Sequence, residues 1–190
     1  VAAGDIARIR ALTRTGADAN IRDSHGRTPL MVAGYRRDLA AAKALLVADA
    51  DVNAVDSDAY DLITIAAVAN DLPMLDLALT AGGDPRRVTS PYRGTALIAA
   101  SHLGHVEVVK TLIAAGAPLD HVNNLTWTAL IEAIVLGDGG ADHLACVKAL
   151  VMAGANVNLA DGEGKTPLAL ARQHGYQAIA DVLTAAGARP

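Results

Sequence analysis

The chain has 190 residues, 52% apolar but only 3% aromatic and without phenylalanine, so its core must be built from Ala, Leu, Val and Ile. Its net charge is −4, with 11 Lys/Arg against 12 Asp/Glu in residues 1–95 and 5 against 8 in the rest, a balance that argues against nucleic acid as a partner. No apolar run is longer than residues 65–69, far short of the ~20 residues that span a bilayer, and the single cysteine, Cys146, excludes an intrachain disulfide framework.

Residues 4–20 read as a helix and an outgoing loop, with Gly16 where a helix end wants a left-handed residue. In residues 23–55 the motif G-R-T-P-L at 26–30 places Thr28 to cap a helix and Pro29 at its first position, where a missing N–H costs nothing. Leu30 and Ala33 then repeat at helical spacing, Leu45 and Leu46 mark a second helix, and A-D-V-N at 50–53 closes the segment. Residues 56–89 follow the same plan, with Asp61 as the cap, Ile63 and Ala66 on the first helix, Leu79 on the second and Gly82 at its end.

Residues 90–122 hold G-T-A-L at 94–97, with Leu97 and Ala100, a break at Gly104, Leu112 and Ile113, and Gly116. One extra residue precedes this copy, between Gly82 and Thr95. Residues 123–160 have Thr128, Leu130 and Ala133, a break at Gly137, then five inserted residues, D-G-G-A-D at 138–142, expected as a flexible loop. Leu150, Val151 and Gly154 complete that copy. Residues 161–190 begin on G-K-T-P-L at 164–168 and continue through Leu168, Ala171, Gly175, Leu183 and Gly187. Their last helix turns Gln177, Asp181 and Thr184 outward, as a terminal repeat should.

Asp23 and Asp56, Thr28 and Asp61, and Thr95 and Thr128 are each 33 residues apart. Period, turn residues and apolar slots agree, and no single helix pair buries its own stripe, so neighbours must stack. The pattern resembles the ankyrin-repeat family over essentially the whole chain. The resemblance implies an all-α solenoid of helix-turn-helix units, one domain over 1–190 with a partial repeat at 1–22 and five full repeats at 23–55, 56–89, 90–122, 123–160 and 161–190. The first helix of the partial repeat would precede Val1, so either the chain extends upstream or this end is an incomplete cap. Because the chain begins with Val and not Met, a leader has room to have been removed, leaving cytoplasm and periplasm both open. The alanine-rich, lysine-poor composition has a bacterial character.

Asp49 stands where the other copies have Gly at the end of the second helix, and a left-handed backbone suits Asp less well. Cys146 replaces Val108 of the preceding copy and is expected as a small buried hydrophobe.

Candidate chemistry is sparse. Gly164-Lys165-Thr166 ends like a phosphate-binding loop, but Leu159 stands where the first Gly is needed. Residues 49–53 alternate oxygens like a calcium loop, but Ala54 and Tyr60 replace the required Gly and Glu. Asn124-Leu125-Thr126 matches the glycosylation sequon, which has meaning only in a eukaryotic secretory protein. His102 and His105 are the alternative site, for a metal or for catalysis; Gly104-His105 is the pair that ankyrin repeats carry at this break, where it helps hold the turn. Arg86, Arg87 and Arg93 are the alternative contact for nucleic acid. No enzyme activity, cofactor, metal, membrane or nucleic-acid partner is expected, and the chain is expected to be monomeric.

The family binds proteins through its turn tips and the inner face of its first helices. In this chain those slots hold Tyr35, Arg36, Tyr60, Val68, Tyr92, His102, Leu125, Trp127 and Leu136. Four of the five aromatics fall there, and they are expected to protrude, since the repeating core uses none. Trp, Tyr and Arg dominate binding hot spots. Val135 and Leu103 extend the apolar centre, and Arg27, Arg37, Glu163, Lys165 and His174 form its polar ends.

Overall fold

The computed structural model describes residues 6–189, and among them are eleven helices and no strand. The helices are α1 (Ile6–Arg14), α2 (Pro29–Tyr35), α3 (Leu39–Leu46), α4 (Leu62–Val68), α5 (Leu72–Thr80), α6 (Ala96–His102), α7 (Val106–Ala114), α8 (Ala129–Val135), α9 (Ala141–Met152), α10 (Pro167–Gln173) and α11 (Gln177–Ala185). The expected start of the partial repeat, at Gly4, lies outside the described residues.

The start of each first helix is set locally. Thr28, Thr95, Thr128 and Thr166 accept through Oγ1 from the backbone N–H three residues on, and Asp61 does so through Oδ1 from Thr64 at 2.8 Å. Each bond satisfies one of the donors a helix start leaves without a partner. Asp38 and Asp71 cap α3 and α5 in the same manner.

The turn before each of four first helices is a closed frame. Asp23, Asp56, Asn123 and Asp161 each accept through Oδ1 from the N–H groups two and four residues on, at 2.8–3.0 Å. Their own N–H donates to the carbonyl four residues on, at 3.0–3.1 Å. The outgoing loops are tied by a second recurring device. Asn20, Asn53 and Asn158 each accept through Oδ1 from the next loop (Asp51, Asp84 and Arg189) and donate through Nδ2 to a carbonyl of that loop.

Two compact units form, one of residues up to Asp84 with Thr89–Pro91, the other of Pro85–Val88 with residues from Tyr92 on. In the first unit α2 packs on α4 and α3 on α1 and α5; in the second α8 packs on α6 and α10, and α9 on α7 and α11. First helices thus form one layer and second helices another within each unit. Leu30, Ile63, Leu97, Leu130 and Leu168 are all buried between them, as are Leu45, Leu112, Leu150 and Leu183. Leu79 is only half-buried, and the slot expected for it is filled by Ala78, with Met74 and Leu75 buried beside it. Cys146 is buried, and that burial pushes its thiol up to about 11.

In the fourth full repeat α8 ends at Val135 with Leu136 as its C-cap, so the chain breaks at Gly137 as expected, although the left-handed residue is Gly139, at φ 68°. The inserted residues are not a free loop, because Ala141 and Asp142 are the first residues of α9, which runs to 12 residues. Asp138 Oδ1 accepts from Gly140 N and contacts His143 Nδ1, both at 2.8 Å, while His143 Nε2 donates to the His102 carbonyl at 2.9 Å. The Tyr176 hydroxyl donates to the Gly137 carbonyl at 2.9 Å. Its ring lies so close to Gly139 that a Cβ there would meet it at 2.3 Å.

The expected helix-end geometry is present: Gly16, Gly82, Gly116, Gly154 and Gly187 have φ between 84° and 95°, and Asp49 is left-handed at φ 60°. A side chain in that region is strained, and the exposed Asp49 carboxylate forms no bond that repays it. Asp49→Gly is expected to stabilise the fold by about 0.5–1 kcal/mol, less the entropy glycine adds to the unfolded chain, a rise of roughly 1–3 °C in Tm. A lower melting temperature by calorimetry would contradict it.

Candidate functional site

In the first unit, Tyr35, Tyr60, Thr64, Ile65, Val68 and Ala69 line a cleft of about 150 Å³. It brings together three of the sequence candidates, Tyr35, Tyr60 and Val68. Tyr35 is 47% exposed, yet its hydroxyl donates to Asp56 Oδ2 at 2.9 Å. Burial first and the Asp56 carboxylate second push this phenol well above its ordinary range. Arg27 lies 6.0 Å over the ring and donates to Asp23 Oδ2 at 2.9 Å, which holds the Asp23 carboxyl at about 2. Tyr60 is half-buried against Met31, Ala54 and Ile65. The expectation that the aromatics protrude is therefore corrected for Tyr60, which packs on the core, while the half-exposed Tyr35 uses its hydroxyl to tie α2 to the next repeat's turn. Arg36 is the C-cap residue of α2.

In the second unit, a groove of about 390 Å³ is bordered by Leu125, Trp127, Val135, Lys165, Leu170 and His174, among others. Leu125 is 45% exposed and Leu136 about as open, whereas Trp127 is half-buried, its indole lining the groove and not standing clear of it. Lys165 pairs with Glu163 at 3.0 Å on the rim. Tyr92 is 60% exposed and outside this groove; its carbonyl accepts from Asn124 N at 3.0 Å.

His102 does not stand alone. Its Nδ1 is 3.3 Å from Oε2 of Glu132 on α8, a carboxylate only 4% exposed. Asn123 Nδ2 donates to the other oxygen, Oε1, at 2.8 Å. Sequence reasoning missed both Glu132 and Asn123, although a signal was present: Glu132 stands where the other copies carry Val32, Ile65, Ala99 and Leu170.

Burial raises Glu132 above its ordinary 4.5, with His102 and Asn123 opposing. The folded protein therefore holds that proton more tightly than the unfolded chain. The associated stability is full below about pH 4.5 and is lost as pH rises through the folded value. Glu132→Gln lacks this loss, so urea unfolding should show it gaining on wild type between pH 4 and pH 8. A gap that does not widen with pH contradicts this.

Among the described residues no group of three or more His, Cys, Asp or Glu is placed to hold a metal. His105 occupies the N-cap position of α7 without a side-chain cap bond. Arg93 is left-handed at φ 55°, and its carbonyl accepts from His121 Nε2 at 2.7 Å. No described helix is long and apolar enough to cross a membrane.

The geometry has clear counterparts among known proteins. The family model "Ankyrin repeats (3 copies)" matches residues 63–161, and "Ankyrin repeat" matches residues 25–57. The ankyrin repeat protein YahD of Escherichia coli K12 is 46% identical over 96 residues, 50% of this chain and 48% of its own length. The ankyrin repeat and KH domain-containing protein mask-1 of Caenorhabditis elegans is 42% identical over 92 residues, 48% of this chain and 3% of its own. The chain thus spans less than half the length of these curated relatives. A crystallised ankyrin repeat domain from Acinetobacter baumannii AYE superposes with a TM-score of 0.93 at 45% identity, covering 97% of this chain and 94% of that one. A second crystallised ankyrin repeat protein gives a TM-score of 0.89 at 31% identity, covering 95% and 92%. Capped helical pairs, their turn frames, the family models and the solved structures agree, and the chain belongs to the ankyrin repeat family.

Proposed function

We propose that this chain is a non-catalytic recognition module that binds a partner protein through first-helix and turn-tip residues. The family as a whole mediates protein–protein interaction and is a non-catalytic fold. The observation that carries the reading here is the groove of the second unit, where Trp127, Leu125, Val135 and Leu170 meet a charged rim of Glu163 and Lys165. An apolar centre with a polar rim is the anatomy of a protein interface. The cleft bounded by Tyr35, Tyr60 and Val68 offers the first unit a smaller apolar socket, and Arg36 at the end of α2 is proposed as a further contact. Tyr92, His102 and Leu136 complete the proposed surface.

The frames that hold these turns preorganise them, so little ordering entropy is lost on binding. The test is capture from the native organism on immobilised protein, with Trp127→Ala and Tyr35→Ala run beside wild type. A protein retained by wild type and released by Trp127→Ala supports the reading. Equal retention by all three removes these residues from the surface.

A further inference from the structure

We propose that Glu132 is a positioning residue for the second unit's face, holding His102 and the Leu125–Trp127 tip in one proton-responsive hydrogen-bond chain. This rests on the reading of that face as a binding surface, but its test needs no partner.

The chain can be followed atom by atom. The partly exposed His102 ring meets Glu132 Oε2 through Nδ1 at 3.3 Å. Glu132 Oε1 accepts from Asn123 Nδ2 at 2.8 Å. Asn123 Oδ1 in turn accepts from Leu125 N at 2.9 Å and Trp127 N at 3.0 Å. His102, Leu125 and Trp127 are separate members of the proposed surface; Glu132 and Asn123 are buried and join them. The equivalent turn residues Asp23, Asp56 and Asp161 use a carboxylate to hold their frames. At position 123 an amide replaces it, and the negative charge is moved onto the neighbouring helix.

An amide must orient: its oxygen caps the turn only while its NH₂ has an acceptor, and Glu132 is that acceptor. A carboxylate beside Nδ1 also selects the Nδ1–H tautomer, which leaves Nε2 as an acceptor. Every bond in the chain is buried or partly buried, where hydrogen bonds are felt most strongly by their neighbours. The elements packed on α8 carry His102 on α6, Asp142, His143, Cys146 and Lys148 on α9, and Arg172 on α10. Of these His102 is the charge placed against Glu132, and His143 is bound instead to Asp138 and to the His102 carbonyl. Proton uptake by the pair therefore reaches the turn through Asn123.

The readouts are the ¹⁵N shifts of His102 and the emission of Trp127, the sole tryptophan. At pH 8, wild type should show His102 protonated at Nδ1. In Glu132→Gln the amide must direct its oxygen to Asn123 and its NH₂ to His102, moving the ring proton to Nε2. Trp127 emission should show a step between about pH 8 and 4, the range in which imidazole and carboxylate titrate, with His174 and Asp161 of its own groove also contributing. The part of that step carried through Glu132 should be lost in Glu132→Gln. Asn123→Asp, which sets a carboxylate against Glu132, should move it to higher pH, and it carries the test should Glu132→Gln fail to fold. An Nε2–H ring in wild type, or a step unchanged in both Glu132→Gln and Asn123→Asp, overturns the proposal. A confirmed step with unaltered partner affinity in Trp127→Ala would instead retain the wiring and reject the surface.

Discussion

Truncating Trp127 to alanine is expected to weaken partner binding by about 2 kcal/mol, roughly 30-fold in Kd, while leaving the fold in place. Two observations separate the loss from a stability effect. The indole is half-buried and lines an open groove, so its removal enlarges a surface feature and makes no internal cavity. The turn it stands on is held by its backbone, whose N–H donates to Asn123 Oδ1 at 3.0 Å and whose carbonyl accepts from Asn123 N at 3.0 Å, and both bonds survive the substitution. Titration calorimetry against the captured partner, beside a thermal melt, checks both halves. Unchanged affinity would remove Trp127 from the surface.

Truncating Leu112 to alanine should do the opposite. Leu112 lies on α7, which packs against α6 and α9, and it has no exposed area. Loss of its apolar burial and the cavity left behind should lower stability by about 2–5 kcal/mol. The small Ala-rich helices around it cannot close the gap cheaply, because closely packed interiors relax only in part. Leu103→Ala, at a position 42% exposed, is the matched control and should change stability by about 0.5 kcal/mol or less. Equilibrium urea unfolding of the two variants decides; a Leu112→Ala loss under about 1 kcal/mol would mean that the second-helix layer is not close-packed there.

What was legible at the first reading was local. Thr28, Asp61, Thr95, Thr128 and Thr166 each act on a group three residues away, so spacing alone revealed the caps. The left-handed helix ends and the anomalous Asp49 follow from the chemistry of a single position. The inserted segment shows where such reading fails. D-G-G-A-D has the composition of a loop, yet the half-buried Tyr176 ring packs against its Gly139 and His143 anchors it from α9. The aromatics divide in the same manner. Their slots followed from the repeat, but that Tyr35 donates to Asp56 and Tyr60 packs on Met31 depends on contacts 21 and 29 positions apart.

By itself the sequence determined the helical pairs and their caps, because each of these depends on groups within one or two helical turns. Only the tertiary structure decided what the second polar atom of two turn residues meets: Tyr35 for Asp56 and Glu132 for Asn123. Both partners sit on first helices whose approach is set by buried leucines elsewhere. A buried polar atom must find a partner, but which one is within 3 Å is decided by packing.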